Sequence, residues 1–123
     1  MMKHKVFLHS LKNAFRGICS ALRRERNMRL HLIGAALALA ASFYFRIEKY
    51  EFLFVLAAIA LVLISEMLNT ALEAAVDLKT LEFHPLARLA KNVAAGAVLC
   101  ATLFALIVGC IVFAGRLKDF FIP

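Results

Sequence analysis

Four polar side chains recur at helical spacing next to a long apolar run. They are Glu66, Asn69, Glu73 and Asp77, and at about 100° per residue they share a stripe about 80° wide on one face of a helix. Carboxylates in such a stripe suit two kinds of chemistry, the acceptance of a proton from a hydroxyl group and the binding of a divalent cation. Carboxylates at membrane depth are also costly, which makes them candidates for a functional site.

The depth of this stripe allows a second interpretation that needs no function. If the helix begins near Tyr50, Glu66 lies about 24 Å along it, near the edge of a hydrocarbon layer about 30 Å thick. Glu73 then lies about 10 Å further towards water. A helix that simply leaves the membrane here would expose its acids or pair them with Arg88 and Lys91.

Two further groups favour phosphate chemistry. Glu25 is the only acid among the eight basic residues of the first 29 positions. Together with Glu73 it could hold a divalent cation, since Mg²⁺ is commonly bound by one or two carboxylates plus substrate phosphates. Lys91, at the start of an apolar run, could take charge from a phosphoryl group. The sequence contains neither a GxxxxGKS/T nor a GxGxxG motif, so a nucleotide would need a non-standard site.

Three apolar runs must position these groups. Of the 123 residues, 63% are hydrophobic and 19% charged, and one small soluble core cannot bury such an apolar excess. The runs predict transmembrane helices at about 29–47, 50–79 and 87–115. We therefore expect an all-α membrane protein with a single integral-membrane domain over residues 1–123.

The whole net charge of +7 falls within the first 29 residues. Apolar residues recur there every three or four positions, which predicts an amphipathic surface helix at about residues 5–25. A helix packed on its own protein is the alternative. Nucleic-acid binding is disfavoured by the apolar remainder, so no nucleic-acid partner is expected. The apolar face comprises Phe7, Leu11, Phe15, Ile18 and Leu22.

The distribution of basic residues predicts the topology. With the N-terminus inside, 11 Lys and Arg residues lie on the cytoplasmic side and 4 outside, so the positive-inside rule places the N-terminus in the cytoplasm and the C-terminus outside. Ala38-Leu39-Ala40 resembles a signal-peptide cleavage site, but the long amphipathic segment before it is atypical of one. Small residues spaced by four, from Ala97 to Gly109, permit self-association or simply reflect abundant alanine.

Three segments resemble the small prokaryotic diacylglycerol kinase and undecaprenol kinase family. The resemblance covers essentially the whole chain in order and spacing, and its most specific part is the ExxNTAxExxxD stretch. The matching segments are ERNMRLH at 25–31, EMLNTALEAAVD at 66–77 and HPLARLAKNVAAGAV at 84–98.

The resemblance implies a homotrimeric lipid kinase of the bacterial inner membrane that uses ATP with Mg²⁺. By position, Glu66 matches the catalytic base, and Glu25 and Glu73 match the metal-binding pair. Asn69 and Asp77 match supporting polar positions of the site. The positions that contact the nucleotide in the family are matched by Glu82, Phe83, His84, Lys91 and Asn92.

Two positions depart from the family pattern, and the identity of the lipid stays open. The family commonly has Asp where Asn92 stands and an aromatic residue where Asn13 stands, so one negative charge near the nucleotide is absent here. Residues 84–87 and 94–98 look closer to the undecaprenol kinase branch, so undecaprenol is favoured as the acceptor, giving undecaprenyl phosphate. Diacylglycerol, giving phosphatidic acid, is the alternative.

A non-enzymatic function is the remaining alternative. The chain would then be a small membrane transporter or an interaction subunit, with Glu66 as a proton-linked site. Such a protein would not need Glu25, Glu73 and Lys91 together on one side of the membrane.

Overall fold

The chain folds into four α-helices, which a computed structural model describes over residues 2–123. Within this range the all-helical prediction is confirmed. The helices are α1 (Met2–Arg24), α2 (Arg26–Phe45), α3 (Lys49–Lys79) and α4 (Pro85–Phe121).

Local sequence accounts for most helix boundaries. Glu25 is extended (φ −106°, ψ 118°) and separates α1 from α2, while Arg46 ends α2 in the left-handed conformation (φ 50°, ψ 53°). Glu48 starts α3 through reciprocal hydrogen bonds with Glu51, which satisfy backbone N–H groups that the first turn leaves free.

The start of α4 combines two helix-initiating residues. Pro85 occupies the first turn, where its missing N–H costs no intrahelical bond. The Nδ1 atom of His84 accepts a hydrogen bond from the backbone N–H of Leu86 at 3.2 Å. The expectation that Pro85 begins a helix or turn is therefore confirmed.

Helices α2, α3 and α4 are each long and apolar enough to cross a membrane. At 1.5 Å per residue α3 is about 46 Å long, which exceeds the roughly 30 Å of the hydrocarbon layer. Only 17–22% of each apolar stretch is buried within the chain. The remaining apolar surface faces outwards, as expected where lipid or another membrane helix replaces water.

The small core lies mainly between α3 and α4. Val55 and Ala58 of α3 pack against Val108 and Val112 of α4. Helix α2 packs on α3, and α1 contacts both α2 and α3.

Two ion pairs show how the ends of the bundle are arranged. Glu51 at the start of α3 pairs with Arg116 near the end of α4, with Oε1 and Nη2 2.9 Å apart. Asp77 near the end of α3 pairs with Lys91 near the start of α4. Helices α3 and α4 are therefore antiparallel, and the end of the bundle with Asp77 is the one at which the α3–α4 connection lies.

Helix α4 differs most from its predicted bounds, because it continues to Phe121 rather than ending near residue 115. The guanidinium of Arg116 is held by Glu51 and by the backbone carbonyl of Val112. Lys118 lies in the last turn, where a cation interacts favourably with the helix dipole. These contacts extend the helix beyond its apolar run.

Candidate active site

Glu66 is the centre of the site. Its exposed fraction is 2%, and among the described residues it is the one charged residue that is buried. Its Oε2 atom lies 3.7 Å from Nε2 of His31 on α2. A buried carboxylate needs a compensating partner, and His31 is placed to provide one.

The polar stripe on α3 faces the interior and becomes more exposed along the helix. Glu66 is buried, whereas Asn69, Glu73 and Asp77 are half-buried. The Nδ2 group of Asn69 donates a hydrogen bond to Oε1 of Glu73 at 3.4 Å. The Oδ1 atom of Asn69 is buried and has no hydrogen-bond partner within residues 2–123, so its capacity to accept a hydrogen bond or bind a cation is unused there.

Glu25 lies at the junction between α1 and α2, and α1 contacts α3. It is half-buried at the start of α2, and its carboxylate forms no hydrogen bond with the first turn of that helix. The carboxylates of Glu25 and Glu73 both interact electrostatically with Glu66, as His31 does. The α1–α2 junction therefore brings a distant acid towards the acids of α3.

The donor atoms fit a magnesium ion that also binds substrate. The described residues contain no cluster of three or more His, Cys, Asp or Glu side chains that could hold a metal alone. Mg²⁺ is commonly bound by one or two carboxylates and takes its other ligands from phosphates and water. The carboxylates of Glu25 and Glu73, with the unpartnered Oδ1 of Asn69 next to Glu73, are donors of this kind. Glu25, Glu73 and Asn69 are thus the residues suited to hold it.

Lys91 is tethered across the two long helices. Its Nζ atom lies 2.6 Å from Oδ1 of Asp77, and both side chains are about 40% exposed. Asp77 of the stripe is therefore paired with Lys91, as the alternative interpretation of the sequence predicted. This pairing directs the ammonium group towards α3 and leaves it accessible.

A concave surface of about 400 Å³ lies beside this pair, at the connection between α3 and α4. Its lining includes every residue matched to a nucleotide contact, namely Glu82, Phe83, His84, Lys91 and Asn92. Oriented N–H groups at the start of α4 add partial positive charge, which favours an anion there.

Arg88 also lines this surface, although the sequence reasoning did not assign it to the site. Its guanidinium carbon lies 5.9 Å from the centre of the Phe83 ring. The signal in the sequence is its spacing three residues before Lys91, which places both cations on one face of α4.

An apolar groove of about 270 Å³ lies between α2, α3 and α4. His31 lines it as well as approaching Glu66. His31 was another residue not assigned from sequence, and the available signal was that the apolar run from Leu30 to Phe45 contains no other His, Lys, Arg, Asp or Glu. Other lining residues include Gly34, Ala58, Val62, Thr102 and Gly109.

Comparisons with known proteins identify the family of the chain. The family model described as prokaryotic diacylglycerol kinase matches residues 12–113. An undecaprenol kinase of Bacillus subtilis is 37% identical over 111 residues, 90% of each chain. A diacylglycerol kinase of Synechocystis is 39% identical over 103 residues, 83% of this chain and 59% of the relative. A diacylglycerol kinase of Escherichia coli K12 is 31% identical over 98 residues, 80% of each chain. The chain belongs to the prokaryotic diacylglycerol kinase family.

Proposed function

We propose that this member of the prokaryotic diacylglycerol kinase family transfers the γ-phosphate of ATP to the primary hydroxyl of a membrane lipid alcohol. The observation that carries the proposal is the position of the buried Glu66. Glu66 approaches His31, which lines the apolar groove. Glu66 is also the first residue of the polar stripe on α3, whose last residue, Asp77, pairs with Lys91 of α4. A hydrocarbon chain and a polyphosphate would thus meet at one carboxylate.

Glu66 acts in this proposal as the general base. The lipid chain occupies the groove between α2, α3 and α4, and its hydroxyl reaches the carboxylate at the polar end. Burial of Glu66 excludes water, which strengthens its electrostatic interaction with the hydroxyl proton. The supporting residues Asn69 and Asp77 orient Glu73 and Lys91, respectively.

The nucleotide binds at the concave surface between α3 and α4. Glu82, Phe83, His84 and Asn92 surround it, and Lys91 stabilises the charge of the γ-phosphoryl group during transfer. Glu25 and Glu73 would hold Mg²⁺, which would supply positive charge to offset that of the nucleotide phosphates.

The transfer conserves atoms and charge. The lipid oxygen forms a bond to the γ-phosphorus while the bond from this phosphorus to the β,γ-bridging oxygen breaks. Glu66 receives the hydroxyl proton, and ADP leaves. The products are a lipid phosphate and ADP.

Undecaprenol is the favoured acceptor. The Bacillus relative bears the name undecaprenol kinase, and its similarity extends over 90% of each chain. Diacylglycerol is the alternative acceptor, because the Synechocystis and Escherichia relatives are named diacylglycerol kinases. The two acceptors share a primary hydroxyl on a long hydrocarbon body.

The membrane arrangement forms part of the proposal. Residues 1–123 constitute one integral-membrane domain of the bacterial inner membrane, with the N-terminus in the cytoplasm and the C-terminus outside. Helix α1 lies in the membrane interface, since Phe7 and Phe15 on its apolar face are 66% and 63% exposed.

The chain also self-associates as a homotrimer in this proposal. Gly96 of α4 has no atom within 4 Å of where a Cβ would lie, so it is not used for close packing inside the chain. Such small residues allow the backbone of another membrane helix to approach.

The decisive test measures phosphate transfer from radiolabelled ATP in vesicles that contain undecaprenol or diacylglycerol. We expect label in the lipid fraction with Mg²⁺ present, and loss of turnover in Glu66→Gln with ATP binding largely retained. The matched control is Asp119→Asn, which makes the same type of change at an exposed residue near the end of α4. Wild-type turnover in Glu66→Gln would refute the role of Glu66, and no labelled lipid from either alcohol would refute the kinase assignment for this chain.

A further inference from the structure

His31 connects two parts of the site that are otherwise separate. It lines the apolar groove between α2, α3 and α4, and its Nε2 atom faces the carboxylate of Glu66. Thr102 is the other residue of that lining with a polar side chain. Its hydroxyl already donates a hydrogen bond to the carbonyl of Val98 at 2.8 Å. The polar side chain of the lining that remains available to a ligand is therefore the imidazole of His31.

The distance between His31 and Glu66 allows one oxygen atom beside them to contact both. At 3.7 Å, Nε2 and Oε2 are too far apart for a direct hydrogen bond of normal length. An oxygen placed about 2.8 Å from each of them would make two hydrogen bonds of ordinary length. The hydroxyl of a lipid alcohol is such an atom, because it can donate one hydrogen bond and accept another.

We infer that His31 orients the acceptor hydroxyl, an inference that rests on the proposed lipid kinase function. The Nε2–H group of His31 donates to the hydroxyl oxygen, while the hydroxyl proton points to Oε2 of Glu66. One lone pair of the oxygen then accepts from His31, and the other is directed at the γ-phosphorus. During transfer the proton passes to Glu66, the new oxygen–phosphorus bond forms, and the bond to the leaving ADP oxygen breaks.

The test compares two substitutions of His31 in the purified, membrane-reconstituted protein. His31→Leu introduces an apolar side chain of similar reach and removes the N–H donor. We expect its kcat for lipid phosphorylation to fall by about 10- to 100-fold, the range of effects for a lost orienting group. His31→Gln retains an N–H donor, and we expect its kcat to be at least about tenfold higher than that of His31→Leu. The KM for ATP is expected to stay within about twofold of wild type in both variants, because the nucleotide surface contains no part of His31.

His9→Leu is the matched control, since it makes the same change at an exposed residue of α1 that lines neither the groove nor the nucleotide surface. Its kcat is expected to stay close to wild type. Equal kcat values for His31→Leu and wild type would overturn the inference, as would equal losses in His31→Leu and His31→Gln accompanied by a raised KM for ATP. A wild-type protein that phosphorylates neither lipid alcohol would overturn the proposed function and this inference together, whereas an active wild type with an unimpaired His31→Leu overturns the inference alone.

Discussion

The ammonium of Lys91 and the carboxylate of Asp77 join the start of α4 to the end of α3, with Nζ and Oδ1 only 2.6 Å apart. Both side chains remain about 40% exposed, so the pair adds little to stability, on the order of 1 kcal/mol or less. Its consequence is geometric. A lysine side chain has a flexible four-carbon stem, and Asp77 holds its charged end beside the surface proposed to bind the nucleotide.

Asp77→Asn is therefore expected to weaken ATP binding more than it weakens the fold. The neutral amide no longer fixes the Lys91 ammonium, so we expect the KM for ATP to rise by about three- to tenfold, in line with the loss of one charge-assisted contact. The KM for the lipid alcohol should not change. Steady-state kinetics with each substrate varied in turn measure both values, with Asp119→Asn as the control. A raised KM for the lipid and an unchanged KM for ATP would contradict the assigned role of this pair.

Glu73→Gln is expected to change the dependence of activity on Mg²⁺. The Gln side chain keeps an oxygen that can accept the hydrogen bond from Asn69, but it removes a negative charge. Affinity for a hard cation decreases when its oxygen donors lose negative charge. We expect the Mg²⁺ concentration for half-maximal activity to rise by about tenfold or more, the effect of losing roughly 1.4 kcal/mol of binding free energy.

Titration of activity with Mg²⁺ at saturating ATP checks this expectation. Glu25→Gln should produce a similar shift, because both residues are proposed to hold the same ion. Glu82→Gln keeps both proposed ligands and should show a normal Mg²⁺ requirement. Identical titration curves for wild type, Glu25→Gln and Glu73→Gln would rule out this pair as the metal ligands.

How much of the molecule the sequence predicts depends on the range of the interactions involved. Long apolar runs predict three membrane-spanning segments, and the structure contains three helices of matching position. The spacing of Glu66 and Glu73 predicts a shared helical face, since 3.6-residue periodicity is a local property. Pro85 predicts a helix start for the same reason.

Contacts between helices were beyond the reach of such patterns. The approach of His31 to Glu66 depends on how α2 packs on α3, and no local periodicity encodes that packing. Arg116, in the part of α4 beyond the predicted end, pairs with Glu51, which is 65 residues away in the chain. The site is therefore predicted as a set of acids, whereas the histidine that accompanies them emerges only from the tertiary structure.

The far end of the bundle should influence stability but not catalysis. Glu51 accepts two hydrogen bonds from Arg116, each 2.9 Å long, in a bidentate pair, and Glu51 also completes the cap of α3. Arg116→Ala is expected to lower the Tm of the protein in detergent while leaving the KM for ATP and for lipid unchanged below that temperature. Thermal unfolding of Arg116→Ala, Glu51→Gln and the double variant measures the coupling between them. A double variant whose Tm falls by the sum of the two single losses would show that the pair is not coupled.

Filling the apolar groove should compete with the lipid chain. Gly34 and Gly109 both line the groove, and a Cβ at either position would meet no atom within 4 Å. Gly34→Leu is therefore expected to fit within the chain and to raise its intrinsic helix propensity by about 0.8–1 kcal/mol. If the groove binds the hydrocarbon chain, the new side chain occupies part of that volume, and we expect the KM for the lipid alcohol to rise by about tenfold or more, the effect of about 1.4 kcal/mol of lost binding free energy.

Gly115→Leu provides the matched control for this prediction. It also has open space around its Cβ position and lies on α4 outside the residues that line the groove, so its kinetics should match wild type. Varying the mole fraction of undecaprenol or diacylglycerol in vesicles at saturating ATP measures the KM for each lipid. Because the groove is proposed to bind the chain and not the phosphates, the KM for ATP must remain constant in Gly34→Leu. A normal KM for both lipids in Gly34→Leu would place the hydrocarbon chain elsewhere on the surface of the helices.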